Sequence, residues 1–229
     1  MNPLSEASRV LAVSAHPDDE TLGCGGTLLR HGAQGDRLFW LVVTQAHAPQ
    51  WPAAVIDKKA DEVRQVAAAY GMERTDKLGL PTTRLDVLPQ SELIDAIRRV
   101  VADVRPEVVY LVHDGDVHGD HHAVFQATLC VLKAFYMRQM GVQRVLSYET
   151  LSSTEAAPPQ FARQFVPTVF HDISPHLDRK LEIMSLYDSE AQSGPMPRGP
   201  EAIRALARYR GATIGVQHAE AFMLIREVR

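Results

Sequence analysis

Two short segments of this chain concentrate side chains that bind metals and move protons. The first is HPDD at residues 16–19, and the second is HGDHH at residues 118–122. An imidazole and a carboxylate from one segment, with an imidazole from the other, would supply three ligands and leave a coordination position for water. Catalytic zinc is typically bound in this way, whereas structural zinc uses four protein ligands that usually include cysteine. The two cysteines, Cys24 and Cys130, lie in neither segment.

The adjacent carboxylates Asp18 and Asp19 cannot both do the same work in a tight turn. If one of them binds the metal, the other points elsewhere and is free to take a proton from water. In the second segment, His118 could polarise a carbonyl or stabilise an oxyanion, with Asp120 as its orienting partner. The residue types therefore predict metal-assisted hydrolysis.

Each segment directly follows a run of residues that is typical of a buried strand. Residues 10–15 lead into the first segment, and residues 107–112 lead into the second. Strands that alternate with helices form parallel sheets covered on both faces, so we expect a Rossmann-like three-layer α/β sandwich with a mostly parallel sheet. Further strands are predicted at 37–44, 77–80 and 143–149, and helices at 21–35, 57–70, 90–104 and 121–137.

The two polar segments are expected to meet at one edge of this sheet. In open α/β sheets, ligands bind beyond the carboxyl ends of the strands, where the strand order reverses. If the strands at 10–15 and 107–112 are neighbours, both segments open into one cleft. Gly23, Gly25 and Gly26 do not form a dinucleotide-binding GxGxxG motif, and we interpret them as sites of close helix-to-sheet packing.

The last third of the chain, residues 151–229, breaks the alternation of strands and helices. We expect a single domain over 1–229, in which residues 1–150 form the Rossmann-like core and residues 151–229 form a C-terminal appendage packed on it. Within the appendage the sequence predicts a strand at 166–173, a helix at about 175–187, a Gly/Pro-rich loop at 193–200, and a final helix and strand.

Composition and charge exclude several classes of function. The 229 residues include 24 Lys and Arg against 28 Asp and Glu, which gives a net charge of −4 with neutral histidines. Because a net-negative surface repels a polyanion, we expect no nucleic-acid partner. No apolar run approaches the ~18–20 residues that span a bilayer, so we expect no membrane span. The two widely separated cysteines suit a reducing compartment, and the expected location is the cytoplasm.

Motifs along most of the chain resemble the LmbE-like (PIG-L) zinc N-deacetylase family. The most specific are AHPDDETLGCGGT after the first strand and HGDHHA after a later one, supported by YETLSST at 148–154 and RGATIGVQHAEAF near the end. The resemblance implies a Rossmann-like α/β domain that removes acetyl groups from N-acetylglucosamine-type amino sugars or their conjugates. It also implies a homo-oligomer, either a trimer or a hexamer.

The resemblance implies a role for each matching position. Asp18 is the general base, His118 helps to stabilise the tetrahedral oxyanion, and Asp120 is the charge partner of His118. The metal is zinc, although Fe2+ also suits two imidazoles and a carboxylate. The implied metal ligands are His16, Asp19 and His121.

Two other functions remain open at this point. The string DHH at residues 120–122 is shared with phosphoesterases that use two metals, and the same scaffold could serve a non-catalytic, metal-dependent sugar-binding protein.

Trp51 could stack on a sugar or pack locally. Lys59 stands where many relatives have arginine, and His218 where many have tyrosine. The sequence assigns no role to Lys59, Arg198, His113 or His218.

Overall fold

A computed structural model of the protein describes residues 7–158 and 163–229. Seven strands form one sheet, in the spatial order β3-β2-β1-β4-β5-β7-β6. The first five strands are parallel, and β7 runs antiparallel to both β5 and β6. The strands are β1 (Arg9–Ser14), β2 (Arg37–Gln45), β3 (Arg74–Pro81), β4 (Val108–Leu111), β5 (Arg144–Tyr148), β6 (Val169–Asp172) and β7 (Ala219–Glu227).

Seven α-helices and one short 3-10 helix connect these strands within the described residues. Helices α3 and α4 pack on each other, and α1 packs on α2 and α6. The predicted α/β sandwich with a mostly parallel sheet is confirmed. The helices are α1 (Asp19–Ala33), α2 (Ala53–Tyr70), α3 (Gln90–Val104), α4 (Gly119–Val131), α5 (Ala134–Met140), α6 (Leu177–Met184) and α7 (Pro200–Ala212), and the 3-10 helix is Leu85–Val87. Within the described residues, no helix combines the length and apolar character that crossing a membrane requires.

The core lies around the central strands β1, β2 and β4. Residues 10–13 and 38–43 are almost completely buried, because helices cover both faces of the sheet. Continuous apolar runs, rather than alternating ones, are the sequence mark of such strands. The indole N–H of Trp40 donates to Ser14 Oγ (3.0 Å), so the largest buried side chain of β2 also satisfies the last residue of β1.

One helix differs from the sequence prediction. The single helix expected at 121–137 is two helices, α4 and α5, because the backbone is extended at Lys133. The break lets Leu132 and Met137 both enter the core, so tertiary packing overrides local helix propensity there. Helix α2, in contrast, ends where expected, at Gly71, which adopts the left-handed conformation (φ 69°) that glycine favours.

Helix α1 is kinked at Cys24 and packs very closely on its neighbours. A Cβ atom at Gly23 would lie 2.0 Å from the Tyr148 ring, and one at Gly26 would lie 2.8 Å from Ile173. These glycines therefore serve close packing, as the sequence predicted.

The C-terminal segment stabilises the kink in α1. The Glu220 carboxylate on β7 accepts the peptide N–H groups of Gly26 (2.8 Å) and Thr27 (2.7 Å). Lys180 on α6 donates to the Leu22 carbonyl (2.8 Å) and to Glu220 (2.7 Å). Both charged side chains are buried, and together they satisfy backbone groups of a kinked helix. The strands β6 and β7 continue the main sheet, while residues 159–162 of the predicted appendage lie outside the described residues.

Candidate active site

The turn between β1 and α1 carries the first predicted cluster. Asp18 precedes the first residue of α1 and has φ 108° and ψ −29°, in the left-handed region that side-chain-bearing residues rarely adopt. Strained backbone of this kind concentrates at functional sites, where the surrounding structure holds it. The next residue, Asp19, accepts the peptide N–H of His16 at 2.8 Å, which closes the turn. Both carboxylates are buried.

The turn between β4 and α4 carries the second cluster and opens beside the first. Strand β4 is the direct parallel neighbour of β1, as the shared cleft requires. His118 caps the N-terminus of α4, where its Nδ1 atom accepts the peptide N–H of Asp120 (3.2 Å). One ring nitrogen from each of three histidines lies within 4.8 Å of the other two, and these histidines are His16, His118 and His121.

The Asp19 carboxylate lies between two of these imidazoles. Its oxygens are 3.4 Å from His121 Nε2 and 3.6 Å from His16 Nδ1. The structure therefore brings together all three residues that the sequence analysis named as metal ligands. His118 adds a third imidazole next to them.

Hydrogen bonds to carboxylates fix the orientation of two of the rings. His16 Nε2 lies 3.0 Å from Asp120 Oδ2, and His121 Nδ1 lies 2.6 Å from Asp116 Oδ2. Because an ionised carboxylate only accepts, these nitrogens carry protons, and the other nitrogen of each ring is the one that a metal ion would bind in place of a proton. Those other nitrogens, His16 Nδ1 and His121 Nε2, are the two that face Asp19.

His118 has the opposite arrangement. Its Nδ1 atom accepts a peptide N–H, so the proton of the neutral ring lies on Nε2. This tautomer makes His118 a hydrogen-bond donor at Nε2, whereas a metal ligand needs a lone pair there. The sequence analysis paired Asp120 with His118, but the Asp120 carboxylate contacts His16 and the peptide N–H of Thr83 (2.7 Å). The hydrogen bond from Asp120 to His118 comes from the peptide N–H, and the Asp120 charge only partly opposes the lowering of the His118 pKa.

The charges in this cluster favour a cation between the imidazoles. Burial opposes protonation of His16, yet Asp120 and Asp19 raise its pKa to about 9. Burial likewise opposes protonation of His121, and Asp19 and Asp116 raise its pKa to about 10. For His118, burial and the neighbouring His16 and His121 lower the pKa to about 4. Positive charge is therefore stabilised where Asp19 lies and disfavoured at His118.

Two residues of the site, Asp116 and Arg198, were missed or left open by sequence reasoning. Asp116 is buried and orients His121, and its only sequence signal is a position five residues before a candidate ligand. Arg198 comes from a distant loop and contacts both Asp18 (3.2 Å) and Glu190 (2.6 Å). Burial and the neighbouring Asp19 raise the pKa of Asp18, and Arg198 opposes that shift.

A cleft of about 260 Å³ opens over the cluster. Its walls include Trp51 and Lys59, which pairs with Glu190. His113 lies outside the cleft lining and contacts the Arg163 carbonyl (3.1 Å). His218 is also outside the lining. The predicted site residues that line the cleft are His16, Asp18, Asp19, His118 and His121.

Comparison with known proteins agrees with this geometry. The family model described as PIG-L, GlcNAc-PI de-N-acetylase, matches residues 11–132, which include both clusters. The chain belongs to this family. It is 30% identical to the uncharacterized deacetylase YaiS of Escherichia coli (strain K12) over 178 residues, which covers 74% of this chain and 86% of the relative. The chain is an enzyme of the deacetylase kind.

Two further similarities extend over nearly the whole chain. Diacetylchitobiose deacetylase of Thermococcus kodakarensis is 23% identical over 97% of this chain and 85% of its own length. The crystal structure of the conserved protein TT1542 from Thermus thermophilus has a TM-score of 0.77 and 27% identity, with coverage of 97% of this chain and 96% of that one. The similarity therefore includes the C-terminal segment that follows the family match.

Proposed function

We propose that this chain is a zinc-dependent hydrolase that removes the N-acetyl group from an N-acetylglucosamine-type amino sugar or its conjugate and releases acetate. The observation that carries the proposal is the convergence of two imidazole nitrogens, His16 Nδ1 and His121 Nε2, on the carboxylate of Asp19, with a second buried carboxylate, Asp18, beside it. The name of the relative that acts on diacetylchitobiose supports an amino-sugar substrate.

The residues present fit a divalent cation. His16, Asp19 and His121 would hold it through two nitrogens and a carboxylate, which leaves room for water and substrate. Asp120 and Asp116 accept the remaining ring N–H groups, an arrangement that orients metal-bound histidines and raises their basicity. The same donor set suits Fe2+, so metal identity is part of the proposal.

The chain's own side chains supply the proton transfers. A zinc ion bound there would act as a Lewis acid on the acetyl carbonyl and lower the pKa of the attacking water. Asp18 takes the proton of that water, because it is the second buried carboxylate of the turn that also carries the proposed ligand Asp19. His118 donates a hydrogen bond from its Nε2–H group to the acetyl oxygen as negative charge develops on that oxygen. Asp18 then returns its proton to the amine nitrogen as the C–N bond breaks, and acetate and the free amine leave.

The cleft wall opposite the cluster would hold the sugar. Trp51 is half-buried in this wall, so its ring can cover an apolar face of a pyranose. Lys59 faces Glu190 rather than open space, and this pairing limits its use as a direct substrate contact. We also propose that the protein forms the homo-oligomer that the resemblance implies. Light scattering of the purified protein would test this. Cytoplasmic location stays a prediction from the sequence.

One experiment on a single preparation tests the function. We expect acetate release from at least one member of a panel that contains N-acetylglucosamine, N,N'-diacetylchitobiose and glycosides of N-acetylglucosamine, together with one metal ion per chain. Two metal ions per chain with phosphoester hydrolysis would favour the two-metal alternative. No acetate from any panel member in metal-loaded protein would favour a sugar-binding role.

A further inference from the structure

A row of alternating charges runs along one side of the cleft and ends at Asp18. Arg198 Nη1 lies 3.2 Å from Asp18 Oδ2 and 2.6 Å from Glu190 Oε2. Glu190 in turn pairs with Lys59 on α2. Arg198 and Asp18 are 180 positions apart in sequence, so this contact depends on the whole fold.

Glu190, which lies between Arg198 and Lys59 in this row, is firmly held against α2. Three successive residues of the loop after α6 contact this helix. Asp188 pairs with Lys58, and Glu190 pairs with Lys59. Between them, Ser189 donates its peptide N–H (2.9 Å) and its hydroxyl (2.7 Å) to the buried carboxylate of Glu62. Glu190 is therefore held in place by contacts with α2 that do not involve Arg198.

Asp18 depends on Arg198 more than on any other side chain that the structure describes. The Asp18 carboxylate is buried, and within the described residues Arg198 is its one side-chain hydrogen-bond partner. A buried carboxylate with no opposite charge beside it is strongly destabilised. The Asp18 side chain makes no capping hydrogen bond to α1, so the guanidinium sets its direction.

We propose that Arg198 is a positioning residue that holds the Asp18 carboxylate in the orientation in which it accepts a proton, and that Glu190 serves to fix Arg198. The inference rests on the proposed function, because Asp18 is the base of that reaction. An arginine in such a cleft can either bind the substrate directly or position a reacting group, and the two roles have different kinetic effects. A direct clamp on substrate would act on KM, whereas a positioning residue acts on kcat.

Kinetics of Arg198→Ala and Glu190→Gln test the assignment. We expect kcat to fall about 10- to 100-fold in Arg198→Ala with KM changed less than about threefold, since misplacement of a reacting group by about 1 Å costs that much. Added guanidinium ion should restore part of the lost kcat. Arg204→Ala is the matched control, because Arg204 lies on α7 and its pair with Asp178 is exposed. A rise in KM at unchanged kcat, or no rescue by guanidinium, would overturn the proposal.

A second measurement needs no enzyme activity and separates the failure of this inference from that of the proposed function. Unfolding free energies of Arg198→Ala, Asp18→Asn and the double variant form a cycle. We expect Arg198→Ala to destabilise the wild-type chain and to cost much less in the Asp18→Asn background, where no buried negative charge is left. Additive effects would contradict the contact. A wild-type chain that releases no acetate but shows coupling would instead reject the proposed reaction.

Discussion

Two histidine clusters of this protein show what turns imidazoles into a cation site. In the cleft, His16 and His121 are surrounded by carboxylates, and both have raised pKa values. A second cluster contains His31 on the last turn of α1, His171 on β6 and the Tyr110 hydroxyl, which lies 3.0 Å from His31. There burial and Arg30 lower the pKa of His171 to about 3.

The difference lies in the neighbouring charges and in what the ring nitrogens face. In the second cluster one carboxylate, Asp36, contacts His31 (2.6 Å), and Tyr110 contacts its other nitrogen. Both ring nitrogens of His31 are thereby used, and no lone pair remains for a shared ligand. In the cleft, each outer nitrogen is satisfied by a carboxylate and each inner nitrogen faces Asp19. Ring nitrogens that converge on a shared carboxylate, rather than histidine density, identify the candidate metal centre.

Removal of the shared carboxylate should have the largest effect on this contrast. We expect Asp19→Ala to lose its bound metal and all measurable deacetylation, because it removes a ligand and the charge between the two imidazoles. His31→Ala should keep one metal ion per chain, and metal analysis of both variants at equal protein concentration checks this. Full metal content in Asp19→Ala would contradict the ligand assignment.

Asp18→Asn should uncouple metal binding from turnover. The amide cannot accept the proton of water, so we expect kcat to fall about 10²- to 10⁴-fold while metal content stays at the wild-type level. Steady-state kinetics and metal analysis of the same sample measure kcat and metal content together. Wild-type turnover in this variant would refute the base.

His118→Ala distinguishes a donor from a third imidazole ligand. The tautomer fixed by the Asp120 peptide N–H leads us to expect unchanged metal content and a kcat about 10²- to 10³-fold lower. Loss of the metal from this variant would instead show that the three imidazoles bind it together.

Asp116→Asn should weaken the centre without abolishing it. The buried carboxylate orients His121 from behind, and loss of such an outer partner typically reduces metal affinity about 10- to 100-fold. Competition with a chelator of known affinity measures the change. Asp114→Asn is a suitable control, because Asp114 pairs with the exposed side chain of Arg163.

The smallest expected effect is on the pH dependence of stability at the second cluster. The native pKa of His171 is about 3, below its ordinary value of 6.5, so the unfolded chain takes up a proton there that the native protein does not. Stability should therefore fall as the pH is lowered from about 6.5 towards 3, and His171→Phe should reduce this fall. Denaturant titrations at several pH values give the unfolding free energy of the wild-type protein and of His171→Phe. If this free energy has the same slope against pH in both proteins, burial of a neutral His171 is not the cause.

The main strands and the meeting of the two polar segments could be predicted from the sequence. Buried parallel strands are continuous apolar runs, and their carboxyl ends must share one edge, so the residue types at 16–19 and 118–122 were sufficient to place the site. The strand pairing of β1 with β4 then brings the two turns together.

Contacts that depend on side-chain direction could not be predicted in the same way. Asp120 faces His16 instead of His118 because the Thr83 peptide N–H also binds its carboxylate, and nothing in the local sequence encodes that approach. Arg198 reaches Asp18 because α6 packs on α1 and the loop that follows α6 contacts α2. Long-range contacts of this kind follow from tertiary packing, which periodicity does not report.

The position of β7 has a consequence for synthesis of the protein. This strand follows β6 in sequence, yet it lies between β5 and β6 in the sheet. A nascent chain that has not yet added β7 leaves β5 with an open edge and β6 without a partner, and exposed edges of this kind invite pairing with other chains. It also lacks Glu220, which satisfies the backbone of the kinked helix behind Asp19. Ribosomal stalling or proteolytic cleavage just before β7 would therefore leave an aggregation-prone chain in which α1 lacks the backbone contacts of Glu220.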